Sequence, residues 1–118
     1  MTTAKQIIDG AFRELAITQT GEELPSNEAQ DALDKLNRLL HAWRLLGVDL
    51  NHIDVTLDET MAIEDDHVLP IIFNFAIEVA PEYGKAIRQD LAIKASTGFD
   101  NLLSFYGQPS EPTPGVYF

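Results

Sequence analysis

Five carboxylates and one histidine lie close together in the middle of the chain, where they suggest a metal site or acid–base chemistry. They are Asp58, Glu59, Glu64, Asp65, Asp66 and His67. Their spacing differs from that of an EF-hand loop, because the alternating oxygen ligands and the turn glycine are missing. Asp65 and Asp66 come directly before an apolar run, and capping of a helix N-terminus explains them more simply. We therefore interpret Asp58, Glu59, Asp65 and Asp66 as an acidic surface with a helix cap.

The remaining residues with catalytic potential lack partners at useful spacings. His41, His52 and His67 show neither His-x-x-x-His nor Glu-x-x-His spacing, which argues against zinc. Glu78 is the one acid within the apolar run, and a glycosidase acid would need such a setting. Such a residue more often meets solvent or pairs with a base. The serines lack a nucleophile-elbow context, and the chain has no cysteine. We predict no catalytic residue, no metal and no cofactor, and we expect that the protein is not an enzyme.

Charge excludes one large class of partners. The 118 residues contain 19 acids and eight Lys or Arg, for a formal net charge of −11. Binding in a nucleic-acid groove requires many basic residues, so the excess of acids argues against a protein that binds DNA or RNA in this way. Residues 45 to 84 contain nine acids and neither Lys nor Arg. The N-terminus lacks a signal-peptide pattern, and the apolar run is too short to span a bilayer. We expect a protein made in a cytoplasm, or in a particle assembled there, without a membrane partner.

The apolar run that follows the acids predicts the core helix. A helix from about Asp66 to Pro81 places apolar side chains over most of its circumference. Such a helix lies at the centre of a fold rather than on its surface. Pro70 falls in the first turn, where a missing N–H costs little.

Three further helices surround this one in our prediction. Residues 3 to 17 begin with a capping-box pattern formed by Thr3 and Gln6. Residues 26 to 46 begin with Ser26 as the cap, carry a Leu and Trp stripe, and stop at Gly47. Residues 82 to 96 form the fourth helix, which bends at Thr97-Gly98 and continues to Tyr106. The predicted fold is all-α: a four-helix bundle-like domain over residues 1–106.

The segment between the second and third helices has a different pattern. Ile53, Val55 and Leu57 alternate with polar residues, as in a half-buried strand. A turn at residues 58–60 would lead to a second strand at residues 61–63. We predict a short β-hairpin or loop insert. Either it packs on its own helices or a neighbouring subunit completes it, which would make these three residues an intersubunit contact.

The last twelve residues form a separate region. Residues 107–118 contain three prolines and two glycines, which predicts an extended arm rather than a packed element. The arm ends in three apolar side chains. We predict that it binds a partner or a neighbouring subunit through Pro112, Pro114, Val116, Tyr117 and Phe118.

Three blocks of the sequence resemble head-to-tail connector proteins of tailed phages. The similarity is greatest to the tail accessory factor, or packaged-DNA stabilisation protein, of short-tailed phages. Residues 31–47 are similar to the second helix of that family at Ala32, Leu33, Leu36, Asn37, Trp43 and Gly47. Residues 65–67 and 80–84 are similar to its Asp-Asp-His and Ala-Pro-Glu-Tyr segments. The start of the chain, residues 2–12, fits as well, so the resemblance covers roughly the first 105 residues.

The resemblance implies a structural virion protein at the head–tail junction, assembled in the host cytoplasm. Its partners would be the portal ring, neighbouring copies of itself and a downstream tail or nozzle protein. A ring of twelve would extend the DNA channel, retain the packaged genome and offer a platform for the tail. DNA would pass without specific binding, since an acidic lumen repels phosphate. The alternative is a standalone acidic helical module that binds a basic protein, as a regulator or nucleic-acid mimic.

Overall fold

The computed structural model describes residues 2–19 and 22–106, and these ranges form an all-α fold. The four helices are α1 (Ala4–Glu14), α2 (Ser26–Leu45), α3 (Val68–Val79) and α4 (Gln89–Tyr106). Two 3-10 turns, Asp65–His67 and Ala80–Tyr83, flank α3. The predicted fold class is confirmed. The arm and its five predicted partner-binding residues lie outside the described ranges.

Helix α3 is the core helix, as its composition predicts. It packs against each of the other three helices. Ile71 and Phe75 are fully buried in it, and Val79 is almost so. The burial of such apolar side chains is the main favourable contribution to folding, at about 1.5–3 kcal/mol for each one. Leu69, in the first turn, is the exception and is 59% exposed.

The capping box predicted for α1 is present. The Thr3 hydroxyl accepts a hydrogen bond from the Gln6 amide at 3.2 Å, and the Gln6 side chain accepts one from the Thr3 amide at 2.9 Å. The helix ends earlier than the pattern predicted, at Glu14. The reason lies at Ala16, which has a φ of 58°, in the left-handed region that an α-helix cannot contain.

The stripe of α2 faces the core, and its end is close to the predicted position. The helix ends at Leu45, and Gly47 has a φ of 100°, a conformation that glycine adopts readily. The start differs in detail from the prediction. Pro25 occupies the capping position, Ser26 is the first helical residue, and no side chain caps this end.

Helix α4 corrects one prediction, because it begins at Gln89 rather than near residue 82: the 3-10 turn before it ends at Gly84 with a φ of 65°. The helix is uninterrupted through Gly98 to Tyr106. A β-carbon on Gly98 would lie 2.9 Å from the Pro70 β-carbon and 3.1 Å from its α-carbon. Glycine at this position therefore permits α3 and α4 to approach closely.

The predicted hairpin is absent from the described residues, where the insert is a loop. Its backbone bonds run to the start of α1: the Lys5 amide donates to the Leu57 carbonyl at 3.0 Å, and the Met61 amide donates to the Thr2 carbonyl at 2.9 Å. A single isolated bridge joins Thr3 and Thr60. Of the two predicted alternatives the loop is the one present, because these backbone groups find their partners at the start of α1 instead of on a second strand.

A polar contact joins the residue before α3, His67, to the last residue of α4, Tyr106. His67, which is 9% exposed, has its Nδ1 atom 2.7 Å from the Tyr106 hydroxyl. The rings of Phe105 and Tyr106 meet the His67 ring edge-on, with centroids 4.7 and 5.0 Å away. Burial raises the pKa of the Tyr106 hydroxyl, with Glu64 adding to the effect. The last turn of α4 is thereby fixed to the start of α3.

We expect Tyr106→Phe to lower the free energy of unfolding by about 1 kcal/mol, because it leaves a buried histidine nitrogen without its partner. Urea unfolding followed by circular dichroism would measure the change. Ser104→Ala, at an exposed position of the same helix, is the control. Equal midpoints for Tyr106→Phe and the wild type would mean that the contact does not stabilise the fold.

Candidate functional site

The loop of residues 48–64, here called the anchored loop, is fixed to α2 by the side chain of Asn37. This side chain is buried and spans the backbone of Val55: its Nδ2 atom donates to the Val55 carbonyl at 3.3 Å, and its Oδ1 atom accepts from the Val55 amide at 3.2 Å. The same Oδ1 atom lies 2.7 Å from Nε2 of His52. One amide therefore determines where the middle of the anchored loop lies on the helix.

Two histidines and one aspartate meet beside this anchor, and we call them the histidine cluster: His41, His52 and Asp54. His41 lies one helical turn after Asn37 on α2, and its Nε2 atom is 2.6 Å from an Asp54 carboxylate oxygen. The two imidazole rings have centroids 5.0 Å apart. One nitrogen or oxygen atom from each of the three side chains lies within 4.8 Å of the others. These are the residues of the described fold that could hold a metal.

The protonation state of His52 follows from its surroundings. Burial lowers the pKa of His52, the neighbouring His41 lowers it further, and Asp54 opposes them. The imidazole is therefore more often neutral near pH 7 than a free histidine. The Asn37 Oδ1 atom can only accept, so the His52 nitrogen that faces it carries the hydrogen. The other ring nitrogen then keeps its lone pair.

Sequence spacing did not reveal this cluster. His-x-x-x-His and Glu-x-x-His spacings are typical of ligands on one helix, whereas His41 lies on a helix and His52 on a loop. The signal that could have found them is Asn37, an amide on the core-facing stripe of α2 that must find polar partners when buried. The third histidine, His67, lies apart in the contact with Tyr106.

The acids predicted as helix caps do not act as caps. Asp65 and Asp66 are exposed, and no side chain caps the 3-10 turn that contains them. The reason is that backbone groups already supply acceptors there: the His67 amide donates to the Glu64 carbonyl at 2.9 Å. Asp58 and Glu59 are exposed too, and Glu59 accepts from the Thr56 amide at 2.8 Å. All four acids contribute to an acidic surface.

The three predicted intersubunit residues do not share one environment. Ile53 is 79% exposed, whereas Val55 and Leu57 are partly buried against the chain's own core. Two further apolar side chains are exposed at the end of α2: Leu45 is 87% exposed and Leu46 is 61% exposed. Of the predicted residues, Ile53 is thus the one that presents its side chain for contact with another molecule.

Glu78 lies in a groove between α2 and α3. Its side chain is exposed, and the groove, of about 300 Å³, is also lined by Lys35, Arg38 and Glu82. The setting agrees with the interpretation that Glu78 meets solvent. It lacks the apolar enclosure that keeps a catalytic carboxyl protonated.

No protein-family model and no curated protein matches this chain. The α2 positions that carry part of the resemblance to connector proteins lie on the inner face of that helix, where Leu33, Leu36 and Trp43 are buried. None of the helices within residues 2–19 and 22–106 combines the length and apolar character that a bilayer-spanning helix requires.

Proposed function

We propose that this protein is a structural component of a tailed-phage virion: a head-to-tail connector that forms a ring beneath the portal. Support comes from the three blocks of resemblance, which follow one another in the order found in that family. In this role the ring extends the DNA channel, holds the packaged genome and receives the next tail protein.

The observation that carries the proposal is the exposure of large apolar side chains at the anchored loop and the end of α2. Ile53 and Leu45 are 79% and 87% exposed in a chain with a net charge of −11. Large apolar side chains that are exposed in so strongly charged a protein are candidates for contact with a protein partner. In a ring, one surface of each subunit meets a different surface of the next, so apolar groups on a loop can be covered without twofold symmetry.

Charge supports the same proposal. Within the described ranges, no Lys or Arg forms an ion pair with the anchored-loop and turn acids Asp58, Glu64, Asp65 and Asp66. Half of the eight basic residues are already paired with acids of their own chain: Lys5, Lys35, Arg88 and Lys94. A ring of twelve would carry twelve times the −11 charge of one chain. An acidic lumen in such a ring would repel phosphate and let DNA slide.

The direct test mixes the purified chain with the portal protein encoded beside its reading frame. We expect a monomeric or weakly associated chain alone and a ring of bound copies on the portal, counted by native mass spectrometry and electron microscopy. Ile53→Asp should reduce binding at least about tenfold, because it places a charge at a contact that excludes water. Ser104→Asp adds the same charge at an exposed position of α4 and is the control. Removal of residues 107–118 tests the arm separately and should leave the fold intact while abolishing attachment.

Normal attachment of both the Ile53→Asp chain and the truncated chain would refute the proposed contacts. Failure of the wild-type chain to bind the portal would refute the connector function. The acidic surface is equally compatible with the second candidate, a standalone module that binds a basic protein. That function predicts a stable one-to-one complex from which DNA displaces the chain, and the genes beside the reading frame would include no portal.

A further inference from the structure

The histidine cluster supplies the donor types that zinc-like ions prefer. Imidazole nitrogen and carboxylate oxygen are both common ligands of Zn²⁺, at about 2.0–2.2 Å from the ion. Tetrahedral geometry then places the ligand atoms about 3.3–3.5 Å from one another. In the structure the His41 and Asp54 atoms are 2.6 Å apart, and all three donors lie within 4.8 Å. Shifts of the order of 1 Å in partly exposed side chains would complete the geometry.

The surroundings orient one ligand in the manner of a metal site. A histidine that binds a metal usually donates its other ring N–H to an oxygen, which fixes its tautomer and orientation. His52 has this arrangement, because one nitrogen donates to Asn37 Oδ1 at 2.7 Å. Asn37 is itself held by both backbone groups of Val55. The Asn37 anchor therefore fixes the position of the His52 ring beside His41 and Asp54.

A simple ion pair accounts for only part of the cluster. It joins His41 to Asp54, whereas His52 is a third potential ligand, with its ring centroid 5.0 Å from that of His41. The adjoining groove, of about 290 Å³, contains two carboxylates and one opposing base: Asp34, Asp54 and Arg38.

We propose that His41, His52 and Asp54 bind a divalent transition-metal ion of the Zn²⁺ class, with solvent at the remaining position. The ion joins α2 to the anchored loop. The site is open to solvent, since the side chains of His41 and Asp54 are 44% and 73% exposed. This role does not depend on the connector function. The two proposals can fail separately: the portal-binding experiment tests the connector function, and the metal-binding experiment tests the ion site.

The test uses the tag-free full chain with Zn²⁺ and, as a spectroscopic probe, Co²⁺. We expect one ion per chain by calorimetry, and visible absorption bands typical of four-coordinate Co²⁺. His41→Ala and Asp54→Asn should each weaken Zn²⁺ binding at least about tenfold, since losing a ligand costs no less than losing an outer-shell partner. Asp58→Asn, an exposed acid of the same loop, should bind Zn²⁺ as the wild type does.

Nuclear magnetic resonance of the imidazole nitrogens locates the ion independently of any loss of fold. Zn²⁺ should shift the nitrogen signals of His41 and His52 and leave those of His67 unchanged. Binding weaker than about 1 mM, which is worth only about 4 kcal/mol, would overturn the proposal. Equal affinity in His41→Ala and the wild type would also overturn it, because the ion would then be bound elsewhere on the chain.

Discussion

Replacing Asn37 by alanine is expected to lower the free energy of unfolding by about 2–3 kcal/mol, because two backbone groups of Val55 and one nitrogen of His52 lose a buried partner. The Asn37 side chain accepts from the Val55 amide at 3.2 Å and donates to its carbonyl at 3.3 Å. Alanine cannot replace either bond. The higher helix propensity of alanine offsets the loss by less than 1 kcal/mol.

Urea unfolding would measure the loss, and hydrogen exchange would locate it. The Val55 amide should exchange faster in Asn37→Ala than in the wild type, whereas the exchange of amides in the centre of α3 should not change. Asn101→Ala removes the same side chain from an exposed position of α4 and is the matched control. An unchanged Val55 exchange rate would mean that the loop is held by other contacts. Because Asn37 also orients His52, the same variant should weaken Zn²⁺ binding about 10–100-fold.

The second large effect is expected at Gly98, where α3 and α4 are closest. Gly98→Leu should destabilise the fold by about 3 kcal/mol, because the added atoms must displace Pro70 and separate the helices. Gly98→Ala should cost about 1–2 kcal/mol, since the overpacking is smaller and alanine returns about 1 kcal/mol of helix propensity. The contact is with backbone as well as side chain: the added β-carbon would lie 3.1 Å from the Pro70 α-carbon.

Two controls separate overpacking from a general effect of substitution. Ala92→Leu adds bulk at an exposed position of the same helix and should change stability by less than about 0.5 kcal/mol. Gly10→Ala is a milder test within α1, because the atom nearest to its β-carbon is the flexible tip of Ile72, at 3.0 Å. If Gly98→Leu and Ala92→Leu had equal free energies of unfolding, the close approach of α3 and α4 at Gly98 would have no measurable effect on stability.

Local patterns were sufficient to predict the helices and their core faces. The capping box at Thr3 and Gln6 works within four residues, and the stripe on α2 repeats with the period of its own helix. The apolar circumference of α3 predicted its central position for the same reason. The stopping point of α2 needed only Gly47, whose φ of 100° few other residues tolerate.

Contacts between distant segments account for two features that the local patterns did not predict. Gly98 was interpreted as a bend from its propensity, but its role is set by Pro70 on another helix. The alternation of Ile53, Val55 and Leu57 is real, yet a strand also needs a neighbouring strand, and the loop bonds instead to α1 and Asn37. Local periodicity contains no information about such partners.

The charge and the resemblance were readable from composition and motifs, whereas the histidine cluster was not. His41 and His52 are separated by a helix end and a turn, so their distance depends on how the anchored loop returns along α2. That return is set by one buried amide, because a polar group removed from water must find partners wherever the fold provides them. Sequence predicted the elements of this protein, and long-range hydrogen bonding and packing brought its candidate site together.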